Sequence, residues 1–126
     1  MIAFDDIALG YAVMDRDHAD SLELWEAAKA APAGALVAPF AAFANHLREH
    51  FAREEALMTE KGFFALHCHS GEHARVLEGI ASVEAELAGG GEERARRYLR
   101  HQFPDWFHNH LATMDRVTAA FLANAP

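Results

Sequence analysis

Disulfides are the first thing this sequence lacks. Cys68 stands alone in 126 residues, which excludes a disulfide framework and a thiolate zinc site. Basic charge is scarce too: 11 Lys and Arg against 19 Asp and Glu give a formal charge of −8. With no basic run, neither nucleic acid nor an anionic membrane surface is expected as a partner. No apolar stretch approaches the ~20 residues that a bilayer-spanning helix needs. No basic segment leading into an apolar core opens the chain as an export signal would, so a cytoplasmic location is expected. Proline and glycine are few, at 4 and 8, and strand-type alternation is absent. What remains is one helical domain, 1–126, of a size that buries a core without staples. Within it stand nine histidines beside the nineteen carboxylates.

The few breakers organise the chain. Ala31-Pro32-Ala33-Gly34 and Ala88-Gly89-Gly90-Gly91 interrupt helical sequence, and Gly62 suits the residue just past a helix end. The helical segments are then roughly 15–30, 36–61, 64–88 and 92–124. The first dozen residues, with Phe4, Ile7, Leu9 and Tyr11, show no sustained period and read as an extended arm across the domain. Four helices with short connections predict an all-α, up-down-up-down antiparallel four-helix bundle.

Each segment carries an inward stripe at steps of three and four. They read Met14, His18, Leu22, Trp25; then Phe40, Phe43, Leu47, His50, Glu54, Leu57; then Leu66, His69, His73, Val76, Ile80, Val83, Leu87; and last Leu99, Phe103, Trp106, His110, Met114, Val117, Phe121. Apolar residues frame imidazole and carboxylate. A single histidine on such a stripe is usually a satisfied core residue. Five imidazoles and a carboxylate in one core are different, because each unpaired polar group costs ~1–3 kcal/mol. A metal turns those lone pairs into ligand bonds.

The ligand types narrow the metal. His50 with Glu54, and His69 with His73, place two donors one turn apart on one helix face. His110 with Asp115 makes a third pair, and His18 adds a donor from the first helix. Seven candidates exceed the four that tetrahedral zinc takes, and they suit two six-coordinate ions. Of twelve positions, five imidazoles, two bridging carboxylates and one shared oxo or hydroxo group fill eleven. The open position and the nitrogen–oxygen donors point to iron ahead of manganese.

This constellation resembles the hemerythrin family, specifically its single-domain bacteriohemerythrins. The matching residues are Asp17-His18, the run from His50 through Glu54 to Met58, Gly62, His69-Ser70-Gly71-Glu72-His73, and Trp106 through His110 with Asp115. The resemblance implies a non-haem di-iron centre with a bridging oxo or hydroxo group. One iron would be held by His69, His73 and His110, and the other by His18 and His50, with Glu54 and Asp115 bridging. It further implies reversible dioxygen binding, for storage, delivery or buffering, at the open position on the second iron. A pocket lined by Leu22, Phe51, Trp106, Phe107 and Leu111, with Ser21 at its edge, would receive the gas. Two alternatives stand beside it: an oxygen or redox sensor acting in trans on an unidentified protein partner, and a di-iron enzyme handling peroxide or nitric oxide. The His-rich donor set favours binding over oxidation, so no enzyme is expected; an iron-free helical interaction module is the plainest alternative.

Four positions depart from the family pattern. Ser21 and Phe107 stand where bulky aliphatic residues are usual, His46 stands where an aromatic is common, and Pro104 interrupts the fourth helix. The Ser21 hydroxyl is expected to admit water and hasten oxidation; His46 is the one candidate proton donor. Pro104 should kink or divide its helix. His110 and Asp115 are five residues apart, which places them ~140° apart on a regular α-helix. A local π-type widening is expected to bring Asp115 back to the metals. His67, His101 and His108 fall off the ligand faces and should meet solvent, and nothing activates Cys68.

Overall fold

The structure, a computed structural model, describes residues 7–125. Four helical stretches account for most of them: α1 (Ala12–Ala30), α2 (Val37–Lys61), α3 (Leu66–Ala88) and α4 (93–124). There is no strand among the described residues. Nor is any helix among them long and apolar enough to cross a membrane. Residues 1–6 of the expected arm lie outside the described residues. Ile7, helical in its backbone, is buried, and Leu9 packs against the core.

Local chemistry sets the helix ends. α1 begins at Ala12, three residues before the expected segment start at 15, and the Asp15 carboxylate accepts the backbone N–H groups of Leu9 and Gly10 at 2.7 and 3.1 Å. Gly62 closes α2 in the left-handed region at φ 68°, and Phe63 N–H donates back to the Met58 carbonyl at 2.9 Å. Cross-helix contacts run in opposite directions: Asp17 meets Arg53 while Ser21 meets His50, and Arg48 pairs with Glu84 while Glu55 meets His73. Neighbouring helices are therefore antiparallel. Trp25 closes the ring of helices by donating its Nε1–H to the Leu99 carbonyl at 2.6 Å.

The core has an aromatic body and a small second cluster. Phe40, Phe43, Phe103 and Tyr98 fill the body with Trp25 and Leu87, and Met14, Ala119 and Leu122 form the second cluster. Between them in every helix stand the buried polar residues. Phe43 and Phe103 meet edge to face at 4.8 Å, the favoured geometry for an aromatic pair.

α4 is α-helical over Glu93–Arg97, Phe103–His110 and Arg116–Asn124, and π-helical over Tyr98–Gln102 and Leu111–Asp115. The first wide turn precedes Pro104, which has no N–H and whose ring would strike the carbonyl four residues back in a regular helix. Phe103 N–H instead donates to the Tyr98 carbonyl, five residues back, and the helix continues. The second wide turn ends with Arg116 N–H donating to the Leu111 carbonyl. This is the widening that the five-residue spacing from His110 to Asp115 anticipates.

It also corrects the stripe expected beyond it. Met114 and Phe121 are only half-buried and Val117 is 48% exposed, whereas Asp115, Thr118, Ala119 and Leu122 are buried. The extra residue in the turn rotates everything that follows by one position. Upstream, Trp106 is half-buried and Phe107 takes the interior place beside it. The register has a direct test. Leu122→Ala should cost about 2–5 kcal/mol, whereas Val117→Ala should stay within about 0.5 kcal/mol. Urea unfolding curves that reverse this order would restore the stripe through Val117.

Candidate metal centre

All four helices bring side chains to one buried place. α1 supplies His18, α2 supplies His50 and Glu54, α3 supplies His69 and His73, and α4 supplies His110 and Asp115; all seven are buried. They form two groups with donor atoms within 4.8 Å of one another: Glu54, His69, His73, His110 and Asp115 in one, and His18, His50 and Glu54 in the other.

The two carboxylates span these groups. Glu54 Oε1 lies 2.8 Å from His69 Nε2 and 3.4 Å from His73 Nε2, while its Oε2 lies 3.2 Å from His50 Nε2. Asp115 Oδ1 lies 3.1 Å from His69 Nε2 and 3.2 Å from His110 Nε2, while its Oδ2 lies 3.1 Å from His18 Nε2. Each carboxylate thus turns one oxygen toward two imidazoles of the set His69, His73 and His110, and the other toward one of the pair His18 and His50.

The atoms converge without satisfying one another. His18 Nε2, His73 Nε2, Glu54 Oε1 and Asp115 Oδ1 are buried and make no hydrogen bond, though several sit within ion-pair distance of a partner. Lone pairs aimed at a common point, with no proton between them, are what a cation resolves. Imidazole nitrogen with carboxylate oxygen is a donor set for a borderline transition ion, so the residues fit a metal site.

The electrostatics of the protein groups alone show the same tension. Burial and Asp115 both oppose charge on Glu54, yet the close approach of the His50, His69 and His73 imidazoles holds it well below the usual carboxylate range. Burial likewise opposes charge on Asp115, and the neighbouring His110, His18 and His69 imidazoles hold it low. Burial works against the His69 cation, but Asp115 and Glu54 carry it up to about 9. Burial dominates at His50 and lowers it; at His18 burial is overcome by the Asp115 carboxylate and the value rises.

Around these seven lies a ring of partners, some of which the sequence does not reveal. Thr118 Oγ1 sits 2.8 Å from His69 Nδ1, and Glu55 Oε2 sits 2.9 Å from His73 Nδ1. Glu72 accepts the Trp106 indole N–H at 2.8 Å, and that indole stacks on His110 with centroids 4.6 Å apart. The Asp17 carboxylate takes a two-point grip from Arg53 at 3.0 and 2.6 Å. Only neighbourhood in sequence hints at these: Asp17 precedes His18, and Glu55 follows Glu54. Thr118 carries no such signal, because it faces inward only through the wide turn.

Among the expected pocket residues, Leu22, Phe51, Phe107 and Leu111 are buried and Trp106 is half-buried. Phe107 stands edge-on to His18 at 5.7 Å, and Phe51 lies parallel to His73 at 3.9 Å. Ser21 differs from expectation. It is fully buried rather than at an edge, with Oγ 2.8 Å from the Asp17 carbonyl and 3.3 Å from His50 Nδ1. Its hydroxyl is engaged on both sides by protein atoms, which removes the physical basis for admitting water. His46 is engaged as well, donating Nε2–H to the same carbonyl at 3.0 Å. His67, His101 and His108 are exposed, and so is Cys68.

Known proteins resemble this chain in sequence and in fold. The sequence pattern of the hemerythrin HHE cation binding domain matches residues 4–122. A bacteriohemerythrin of Ralstonia nicotianae is 36% identical over 115 residues, covering 91% of this chain and 83% of that protein. One from Aquifex aeolicus is 33% identical over 79 residues, covering 62% of this chain and 60% of that protein. A crystal structure of a hemerythrin point mutant superposes with a TM-score of 0.80 at 20% identity, over 97% of this chain and 95% of the other. At that identity the likeness is one of fold.

The cluster's charges yield a prediction for the protein after chelation. A His69 raised from 6.5 to about 9 contributes stability that is fully present below pH 6.5 and lost as pH rises through 9. His50, lowered by burial, acts in the opposite sense and costs stability as pH falls below 6.5. Chelated protein should therefore show its highest melting temperature near neutral pH and a decline toward pH 9 that His69→Gln reduces; His18, also raised by Asp115, contributes the rest. A flat melting temperature across that alkaline window would show that His69 carries no charge there.

Proposed function

The chain belongs to the hemerythrin family, and from that premise we propose that it binds dioxygen reversibly at a di-iron centre, for storage, delivery or buffering. One observation carries the reading: each carboxylate divides its oxygens between a group of three imidazoles and a group of two. His69, His73 and His110 would hold one iron, His18 and His50 the other, and Glu54 and Asp115 would bridge them. With one shared oxo or hydroxo group, five imidazoles and two carboxylates would leave one donor position of twelve for a single diatomic ligand. When bound, the iron pair supplies two electrons that can be lent to dioxygen and returned.

The protein's part is to hold the donors still and keep the surroundings dry. Phe107 edge-on to His18, Phe51 beside both His50 and His73, and buried Leu22 and Leu111 would supply apolar walls. Such walls slow solvent-driven loss of the bound gas. They also leave little space for a second substrate, which favours a binder over an oxidase. Proton donors are scarce: the Ser21 hydroxyl and His46 Nε2–H both face the Asp17 carbonyl. A site without a ready proton lets the gas leave as it came.

The test is to load the chelated protein with ferrous iron without air, admit oxygen, then remove it. A visible charge-transfer band should appear and vanish over repeated cycles, with two irons per chain. Glu54→Ala should abolish the band by removing a bridge, and His108→Ala, at an exposed position, should leave it unchanged. Irreversible oxidation in the first cycle, or one iron per chain, defeats the reading.

A further inference from the structure

Two hydroxyls, one beside each imidazole group, occupy the same geometry on different helices. Ser21 Oγ lies 2.8 Å from the carbonyl of Asp17, four residues back in α1, and 3.3 Å from His50 Nδ1. Thr118 Oγ1 lies 2.9 Å from the carbonyl of Met114, four residues back in α4, and 2.8 Å from His69 Nδ1. Both residues are fully buried. The geometry assigns Ser21 and Thr118 a matched positioning role: each fixes one ligand histidine in the tautomer that leaves Nε2 free for metal, Ser21 on the two-histidine side and Thr118 on the three-histidine side. This assignment rests on the di-iron reading.

Proton counting carries the argument. A hydroxyl owns one proton and two lone pairs. A carbonyl can only accept, so the short contact to Asp17 or Met114 takes the hydroxyl proton. The contact to Nδ1 must then be an Nδ1–H donating to the hydroxyl oxygen. A neutral imidazole protonated at Nδ1 presents a bare Nε2, the atom of His50 and of His69 that faces the carboxylates. The hydroxyl is thus a polarised relay between a helix carbonyl and a ligand ring, the role that outer partners play at many metal sites.

The remaining histidines show that this is a selective device. His73 Nδ1 is taken by the Glu55 carboxylate, whereas His18 Nδ1 and His110 Nδ1 have no hydrogen-bond partner. On the two-histidine side, among the described residues, Ser21 is therefore the one side chain that anchors a ligand ring by its Nδ1. A serine at this position trades apolar wall for ligand control.

Cobalt(II), titrated without air into chelated full-length protein, is the probe, with d–d absorption following two binding steps. Ser21→Ala should weaken one step by roughly 10–100-fold and Thr118→Ala the other, the range usual for such partners. Ser21→Thr and Thr118→Ser, which keep the hydroxyl, should restore each step. Ala variants that leave both steps unchanged, or that weaken the same step, overturn the assignment while two-ion uptake by the unsubstituted protein upholds the di-iron reading. Uptake of fewer than two ions by that protein sinks the di-iron reading and the assignment with it. Should either Ala variant fail to fold, nitrogen NMR of the zinc-loaded unsubstituted protein decides: protons on Nδ1 of His50 and His69 support the roles, and a proton on Nε2 of either ring overturns them.

Discussion

Burying two carboxylates and five imidazoles within a few ångströms of one another is the constraint on which the rest of the structure depends. Carboxylates in a dry interior cost several kcal/mol apiece unless they are compensated, and here the compensation must come from nitrogens on all four helices. None of these side chains can retreat to water, because apolar layers close the bundle on both sides of them. The helices must therefore hold their ligand atoms at matching heights. That demand explains why the aromatic body of Phe40, Phe43 and Phe103 is so tightly filled, and why Trp25 is pinned to the Leu99 backbone.

The two sides of the cluster are built differently. His69, His73 and His110 are braced by Thr118, by Glu55 and by the stacked Trp106. His18 and His50 are braced by a single hydroxyl and by ring edges. A more heavily buttressed side can move less, so any geometric adjustment of the cluster is directed to the lighter side. Several of the polar supports, Glu55, Glu72 and Arg53 among them, reach the surface.

Much of this was readable from spacing. The four segments, Gly62 as a helix terminus and the seven polar positions follow from period and residue type, because both backbone geometry and ligand chemistry recur at fixed intervals. The failures have a common origin. Met114, Val117 and Phe121 looked like the inward stripe because periodicity assumes 3.6 residues per turn throughout, and the turn at 111–115 does not obey it. The five-residue gap to Asp115 contained the correction, since a buried carboxylate there requires the wider turn. Thr118 was hidden for the same reason. Ser21 was visible as a departure, but whether a hydroxyl faces water or a carbonyl depends on burial that no local pattern encodes. Partners such as Glu55 and Glu72 depend on helix-to-helix registry, which single-helix periodicity does not contain.

The two wide turns of α4 also bear on how such a chain can change length. An added residue in an ordinary helix turns everything beyond it by about 100°, which would carry a whole buried face into solvent. In α4 each surplus residue is swallowed within a single turn, and the segments on either side keep their faces inward. Gains and losses of one residue, normally confined to loops, are thus tolerated inside a helix beside a buried cluster. An alignment that forbids gaps within helices would slide Asp115 and Thr118 out of correspondence with their equivalents in a relative that had one fewer residue there, and would hide a shared buried carboxylate.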